Sequence, residues 1–363
     1  MSGSRRLILA GGGHAHVEVL RRLATSPLPG VETVLISDRT HSVYSGMVPG
    51  YAAGQYRRAE IEVNVEALAL RAGARWIHGR VMGVEPRQRQ VLLDGETALD
   101  YTVASLDVGA SVSSTDRPGV LSHALPARPI GRLVDRLHPS LTGPIAVVGA
   151  GAAGVELACC LQHRARQSGP LGVATHLIEA GPQILNDAGR SLRDAAERAL
   201  QERNIAVHCD APVAHVDAEG VVLADGRRID AALVAWVTGA APHASLGVSG
   251  LPLDTAGFIR VDPTLEVTGR SGLFAAGDCA SLSGTPKAGV HAVRQGPVLD
   301  TNLRARLCGT QMRPYVPQRD FLRILNLGDG SAIASKWGIT VHGSLAMRLK
   351  DRIDRAWLRR YET

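Results

Sequence analysis

Apolar residues in this chain fall in short unbroken runs, each closed by glycines and followed by a segment with helical spacing. Residues 6–10 (RLILA) lead into Gly11-Gly12-Gly13, a helix-like stretch over 14–24 and a second run, 33–37 (TVLIS). Residues 145–148 (IAVV) repeat the pattern through Gly149-Ala150-Gly151-Ala152-Ala153-Gly154, a helical stretch to about 166, and 175–178 (THLI) ending at Glu179. Continuous apolar runs of this length read as strands buried on both faces of a parallel sheet. Strand, glycine turn, helix, strand and acid together open a nucleotide-binding βαβ unit. Two such copies predict two doubly wound domains.

Each copy trails into a stretch that reads as antiparallel. The first is 75–93, closing at Asp94-Gly95; the second is 205–237, with Ala224-Asp225-Gly226 as the turn before a strand over 231–237. The Ser-, Pro- and Gly-rich span 111–129 reads as a crossing linker, and 240–256 as a second crossing. Residues 273–276 (LFAA) form another buried strand ending at Gly277-Asp278, and its late position predicts a return to the first domain. The expected fold is α/β: two Rossmann-like dinucleotide-binding domains and a small C-terminal region. The expected boundaries are 1–115 for the first part of one domain, 116–245 for an inserted domain, 246–312 for the first domain's second part, and 313–363 for the C-terminal region.

Composition narrows the classes. A chain of 363 residues can bury two or three cores, and 45% hydrophobic with 20% charged residues excludes a disordered chain. No apolar run approaches the roughly 18 residues of a spanning helix. Five Cys with no C-x-x-C pair form no disulfide framework, which fits a reducing, cytoplasmic setting. All five read as inert buried thiols. The net charge of +6 is carried by 37 Arg and 3 Lys, and no nucleic-acid partner is expected. Ser4-Arg5-Arg6 resembles the start of a twin-arginine signal. The apolar stretch behind it falls short of the roughly 7–15 residues an export signal uses, so the chain reads as mature from residue 1.

The second glycine turn carries the clearer chemistry. Gly149 permits the tight turn, Gly151 lets a pyrophosphate approach the backbone, and Gly154 lets helix and strand pack closely. The helix N-terminus offers unpaired N–H groups to the phosphates. Glu179 can accept hydrogen bonds from ribose hydroxyls and would repel a 2′-phosphate, which favours NADH over NADPH. In the first turn Gly11 and Gly13 fill two slots, but His16 occupies the third. A histidine there pushes the helix off the strand or turns its ring outward, so His14 and His16 read as surface or capping residues. Ser37 closes the second strand with Asp38 behind it, and either is placed to meet a ribose.

Gly277-Asp278 sets a carboxylate beside a helix N-terminus, a pairing suited to a ribityl hydroxyl and a pyrophosphate of one cofactor. With Leu106-Asp107-Val108-Gly109 and Val237-Thr238-Gly239 at the crossovers, the arrangement resembles the pyridine nucleotide-disulfide oxidoreductase superfamily. The resemblance implies FAD in the first domain, NAD(P)H in the inserted one, and a Gly-Asp strand completing the FAD site. Lacking C-x-x-C and C-x4-C pairs, the chain looks like the branch of type II NADH dehydrogenases and sulfide:quinone oxidoreductases. Tyr44-Ser45-Gly46-Met47-Val48-Pro49-Gly50, the stretch 286–296 and the tail 349–355 resemble a bacterial group found fused to selenophosphate synthetase.

Carried onto this chain, the resemblance implies FAD contacts at Gly11, Gly13, Val81 (through its backbone), Gly109, Gly277 and Asp278, with Ser37 or Asp38 at the adenosine end. It implies NADH contacts at Gly149, Gly151, Gly154, Glu179 and Gly239. Glu156 would lie near nicotinamide and flavin, and Lys287 near the helix end that faces the flavin pyrimidine. The implied activity is FAD-dependent transfer of a hydride from NADH to flavin N5, then of electrons to a small acceptor, a quinone. Two alternatives stand beside it: a flavoprotein handling sulfide or a selenium compound, and a redox sensor or assembly protein with little turnover. Oligomeric state stays open, a homodimer included. In 345–361 an apolar stripe, Leu345, Leu349, Ile353, Trp357 and Tyr361, accompanies six basic and two acidic residues. It either meets an anionic membrane from the cytoplasmic side or packs on the FAD domain.

Overall fold

The computed structural model describes residues 5–137, 141–168, 173–247, 249–318 and 320–362. Ser4 of the signal reading and Val248 of the second crossing lie outside the described residues. The chain opens with β1 (Arg5–Ala10), α1 (His14–Thr25), β2 (Val31–Ser37), β3 (Arg75–His78) and β4 (Val103–Leu106). It continues through β5 (Ser111–Val112), β6 (Ala124–Pro126), β7 (Ile145–Val148), α2 (Ala152–Ser168), β8 (Thr175–Ile178) and β9 (Ile205–His208). Next come β10 (Leu233–Trp236), β11 (Ala240–Ala241), β12 (Leu273–Ala275) and α3 (Gly289–Cys308). The end of the chain holds β13 (Arg323–Asn326), β14 (Ala332–Lys336), β15 (Ile339–Gly343) and α4 (Ser344–Leu358).

Two five-stranded sheets result, ordered β12-β4-β1-β2-β3 and β6-β10-β7-β8-β9. Every pairing within them is parallel. The inner strands β4 and β7 are buried throughout, and β7 accordingly runs apolar without alternation. The strand ending at Gly277-Asp278, β12, lies beside β4 in the first sheet.

Three expectations change. Arg75–His78 and Ile205–His208 are outer strands of the parallel sheets, and antiparallel pairing starts only at Val81 and Val213. Both are edge strands with partly exposed residues, so they lack the unbroken apolar run that marked the inner strands. The span 111–129 is more than a linker, since β6 within it forms the edge of the second sheet. Its start, β5, pairs with β11, so the two crossings run side by side. The strand expected over 231–237 narrows to Leu233–Trp236.

The C-terminal stripe is split. In α4 the buried residues are Ala346, Met347, Lys350, Asp354, Trp357 and Leu358. Leu345 is 75% exposed, Leu349 43% and Ile353 44%, whereas Trp357 and Tyr361 are buried. A stripe packed along its whole length is therefore overturned. The helix instead turns inward a face that carries a lysine–aspartate pair.

α1 and α3 cross where Gly296 faces Ala15 and Glu18. A β-carbon on Gly296 would lie 2.7 Å from the Glu18 β-carbon and 3.2 Å from the Ala15 carbonyl oxygen. Gly296→Ala gains up to about 1 kcal/mol of helix propensity. Overpacking at a backbone contact costs roughly 1–3 kcal/mol, so the clash wins. The substitution should lower the urea midpoint; an unchanged or raised midpoint would show that the helices separate freely here.

Candidate functional site

The two glycine turns open into one continuous cavity of about 1610 Å³. A single small-molecule pocket spans roughly 300–1,000 Å³, so this one has room for more than one ligand. Its wall includes Gly11, Gly13, Ser37, Asp38, Val81, Gly109 and Asp278 from the first half. Gly149, Gly151, Gly154, Glu156, Glu179 and Gly239 follow from the second, with Lys287 between them. Gly277 is not in the wall; it lies against the Asp107 carboxyl behind it.

At the first turn Gly11 has φ +104°, and a side chain there would strike the Asp107 carbonyl. The carboxylate of Asp107 accepts from the amides of Ala15 (2.8 Å) and His16 (3.1 Å), capping α1 from another strand. Burial pushes its carboxyl up to about 7, against the pull of the two amides. Any β-carbon on Gly13 would collide with this carboxylate. Asp107 appeared in the sequence only within a crossover motif. The glycines that make room for it were the available signal.

His16 overturns the reading of an outward ring and a surface residue. It is fully buried, with Nδ1 2.7 Å from the Gly11 carbonyl and Nε2 2.8 Å from the Ser105 hydroxyl. A hydrogen-bonded imidazole fills the third slot where glycine would allow direct packing. His14 is likewise no surface residue: it borders the cavity, and burial pushes its pKa down to about 4.

At the adenosine end Ser37 forms a local turn, its hydroxyl donating to the Arg39 carbonyl and accepting the Arg39 amide. Asp38 is half exposed, 4.0 Å from Arg80. Asp278 pairs with Arg128 at 3.1 Å, so a cation from the span between the sheets lies on the Gly-Asp carboxylate. Lys287 borders the cavity, but its ammonium donates to the Ala280 carbonyl and rests 3.9 Å from the Phe258 ring centroid. Burial lowers its pKa, opposed by Cys279, Asp278 and Asp254.

The second turn is built as its sequence predicts. Gly149 has φ +104°, and a β-carbon there would sit 2.6 Å from the Val237 carbonyl oxygen. A side chain on Gly154 would strike the Gly149 carbonyl. Gly151 meets nothing within 4 Å, so no protein contact demands a glycine there. What such a position accommodates is a ligand approaching the backbone. Glu179 accepts the amides of Ala150 (2.8 Å) and Gly181 (2.9 Å), which orient its carboxylate at the strand end.

Glu156 enters a buried polar cluster that motif reading did not reveal. Its carboxylate accepts the Asn326 amide at 2.9 Å, and burial pushes its pKa up to about 7 while Lys350 pulls the other way. Lys350 donates to the Gly46 carbonyl (2.6 Å) and to Asp354 (2.9 Å). Burial opposes its charge, yet Glu156 and Asp354 hold its ammonium above the usual lysine range. Asp354 also accepts from the Tyr44 hydroxyl at 3.1 Å.

No cysteine lines the cavity among the described residues. Cys159, Cys160 and Cys279 are buried, and burial pushes the thiols of Cys159 and Cys279 up to about 12. Cys308 is exposed and Cys209 half-buried, which departs from the expectation of five buried thiols.

The same architecture recurs in solved structures. The sulfide:quinone oxidoreductase of Aquifex aeolicus superposes with a TM-score of 0.81 at 15% identity, covering 98% of this chain and 91% of that one. Plasmodium falciparum NDH2 in complex with NADH gives 0.76 at 13% identity, covering 97% and 98%. These likenesses show the fold alone. By sequence, the chain is 26% identical over 323 residues to the NADH dehydrogenase-like protein YutJ of Bacillus subtilis, covering 86% of this chain and 87% of that protein. It is also 26% identical over 367 residues to the demethylphylloquinone reductase NdbB of Synechocystis, covering 94% and 89%. The family described as pyridine nucleotide-disulphide oxidoreductase matches residues 5–296. The chain belongs to that family, on its type II NADH dehydrogenase-like side.

Proposed function

We propose that the protein is an FAD-dependent NADH:acceptor oxidoreductase and that its acceptor is a quinone. One observation carries this: a single cavity joins both glycine turns to the buried cluster of α4, so two dinucleotides and a third molecule share one chamber. The residues present fit the cofactors. Gly151 leaves backbone open, Gly11 and Gly13 hold the first turn close to Asp107, and Asp278 and Arg128 offer a carboxylate and a guanidinium side by side. FAD, when bound, supplies hydride acceptance from NADH and passage of the electrons onward. Gly11, Gly13, Gly109, Asp278, the Val81 backbone and Ser37 or Asp38 would hold it, with Arg128 countering its phosphates and Gly277 shaping the turn from behind the wall. Gly149, Gly151, Gly154, Glu179 and Gly239 would hold NADH. Lys287 would add positive charge to the same wall.

Sulfide chemistry relayed through thiols has no group in the cavity, since no cysteine lines it among the described residues. The protein should purify yellow and release FAD on denaturation, NADH should bleach it without oxygen, and a short-chain quinone should restore the colour. Bleaching with no turnover on any quinone would mark a sensor instead. Glu179 should set the nucleotide preference. Glu179→Gln removes the charge facing a 2′-phosphate, and kcat/KM for NADPH relative to NADH should rise about tenfold, or ~1.4 kcal/mol. An unchanged ratio would remove Glu179 from the ribose site.

Quinone reduction takes one proton beyond the hydride, and Glu156 is the buried acid placed to hold it. With a pKa near 7, its carboxyl is protonated below that pH and empties above it. Turnover at saturating NADH should therefore be flat below pH 7 and fall as the pH rises beyond it. Glu156→Gln should slow turnover and abolish that descending limb; a limb retained in the variant would assign it elsewhere.

No helix among the described residues is long and apolar enough to cross a membrane. Leu345, Leu349 and Ile353 on α4 are exposed, as are Ile339 and Val341 on β15 and Trp337 just before it, and Arg348 and Arg352 are exposed on α4. An apolar face with basic residues beside it suits peripheral contact with an anionic cytoplasmic leaflet, where a quinone is collected. Combined Trp337→Ser, Ile339→Ser and Leu345→Ser should abolish salt-sensitive binding to phosphatidylglycerol vesicles and leave short-chain quinone reduction intact. An intact protein that ignores such vesicles at low ionic strength would rule the contact out.

A further inference from the structure

We propose that His14 is the hydrogen-bond donor that holds a carbonyl oxygen of the acceptor, in a chamber between the start of α1 and the inner face of α4. The inference rests on the NADH:quinone reading above and names the residue that recognises the acceptor's reacting group.

His14 is the first residue of α1 and borders the cavity. Its ring stands edge-on to Tyr44, with centroids 5.6 Å apart, and tilts against Trp357 at 5.4 Å. Tyr44 and Trp357 stack on each other at 4.2 Å with an 18° interplanar angle. This aromatic wall is braced from behind, because Asp354 takes the Tyr44 hydroxyl and Lys350 ties Asp354 to the Gly46 carbonyl. The ring of His14 is therefore held, not free to reorient.

Its protonation state follows from its contacts. Burial keeps the imidazole neutral at working pH, with only Asp278 opposing the shift. The Ser45 amide approaches Nε2 at 3.4 Å, and a donor there requires a lone pair on that nitrogen. The ring proton then belongs on Nδ1, which has no partner among the described residues. A neutral N–H donor is left facing the cavity.

The location favours the acceptor over the dinucleotides. The family match ends at residue 296, and the Trp357 ring packed against His14 comes from α4, beyond both nucleotide-binding sheets. Ile353 of α4 lines the cavity as well and is 44% exposed. A molecule there meets the aromatic rings of Tyr44 and Trp357 and one neutral donor at His14. That set matches a flat, uncharged ring bearing carbonyl groups.

The chemistry fits the same assignment. As a quinone takes two electrons, negative charge develops on its oxygens, and a fixed donor gains strength as the charge grows. A neutral imidazole can fill this electrophilic role without giving up its proton. Of the two protons in the quinol, one arrives with the hydride and the other is the one assigned above to Glu156, which solvent replenishes. His14 supplies neither and acts by positioning the acceptor and stabilising its charge.

The test compares His14→Phe, which keeps the aromatic contact but has no donor, with His14→Asn, whose amide nitrogen lies near the position of Nδ1. FAD content is measured first. Flavin reduction by NADH is then followed anaerobically, and reoxidation is timed with a short-chain quinone and with ferricyanide, which has no carbonyl. His14→Phe should slow quinone reoxidation about 10- to 100-fold, leaving FAD content and the ferricyanide rate unmoved. His14→Asn should recover much of the quinone rate. Quinone reoxidation of His14→Phe at the unmodified rate, equal losses with both oxidants, or loss of FAD would each overturn the proposal. Failure of the functional reading shows separately, as unmodified protein that NADH does not bleach or quinone does not reoxidise.

Discussion

The buried carboxyl of Asp107 is the point on which the first half of the cavity depends. An ionised carboxylate far from water is costly unless it is paired or hydrogen-bonded. Asp107 takes no cation among the described residues and relies on two amides at the start of α1, where the helix dipole also favours negative charge. This holds the end of β4 against the first glycine turn, and the Gly277 turn closes over the same carboxyl. Side chains at Gly13 and Gly277 would both meet Asp107, so these glycines are required by the protein's own packing before any ligand is considered. Gly151 is the opposite case, a glycine that no neighbour explains. The two turns thus share a motif for different physical reasons.

The sequence made much of the scaffold legible because buried parallel strands and tight glycine turns leave local marks. β1 and β7 follow the apolar runs that mark them, and Gly149 and Gly154 adopt the close approaches that their spacing implies. Expectations failed where the decisive contact was distant in the chain. His16 looked outward-facing because its partner Ser105 lies 89 residues away. Arg75–His78 and Ile205–His208 looked antiparallel because edge strands keep polar and apolar positions mixed. Tyr44, Lys350 and Asp354 lie in two segments that the sequence singled out, but nothing local joined them, since their cluster forms only when α4 docks onto the segment after β2. The acid of Glu156 was visible; the lysine that tempers it was not.

α4 buries a mixed face: Lys350 and Asp354 lie inward beside Met347, Trp357 and Leu358, while Leu345, Leu349 and Ile353 stay outside. The inward apolar residues each give roughly 1.5–3 kcal/mol of burial. Turning a lysine and an aspartate inward costs desolvation, which their mutual contact, the Gly46 carbonyl and the Tyr44 hydroxyl offset. Ile353 lines the cavity on the same helix and is partly exposed. Burial raises the pKa of Glu156, and Lys350 of α4 pulls against it, so the C-terminal helix takes part in the chamber into which the two glycine turns open.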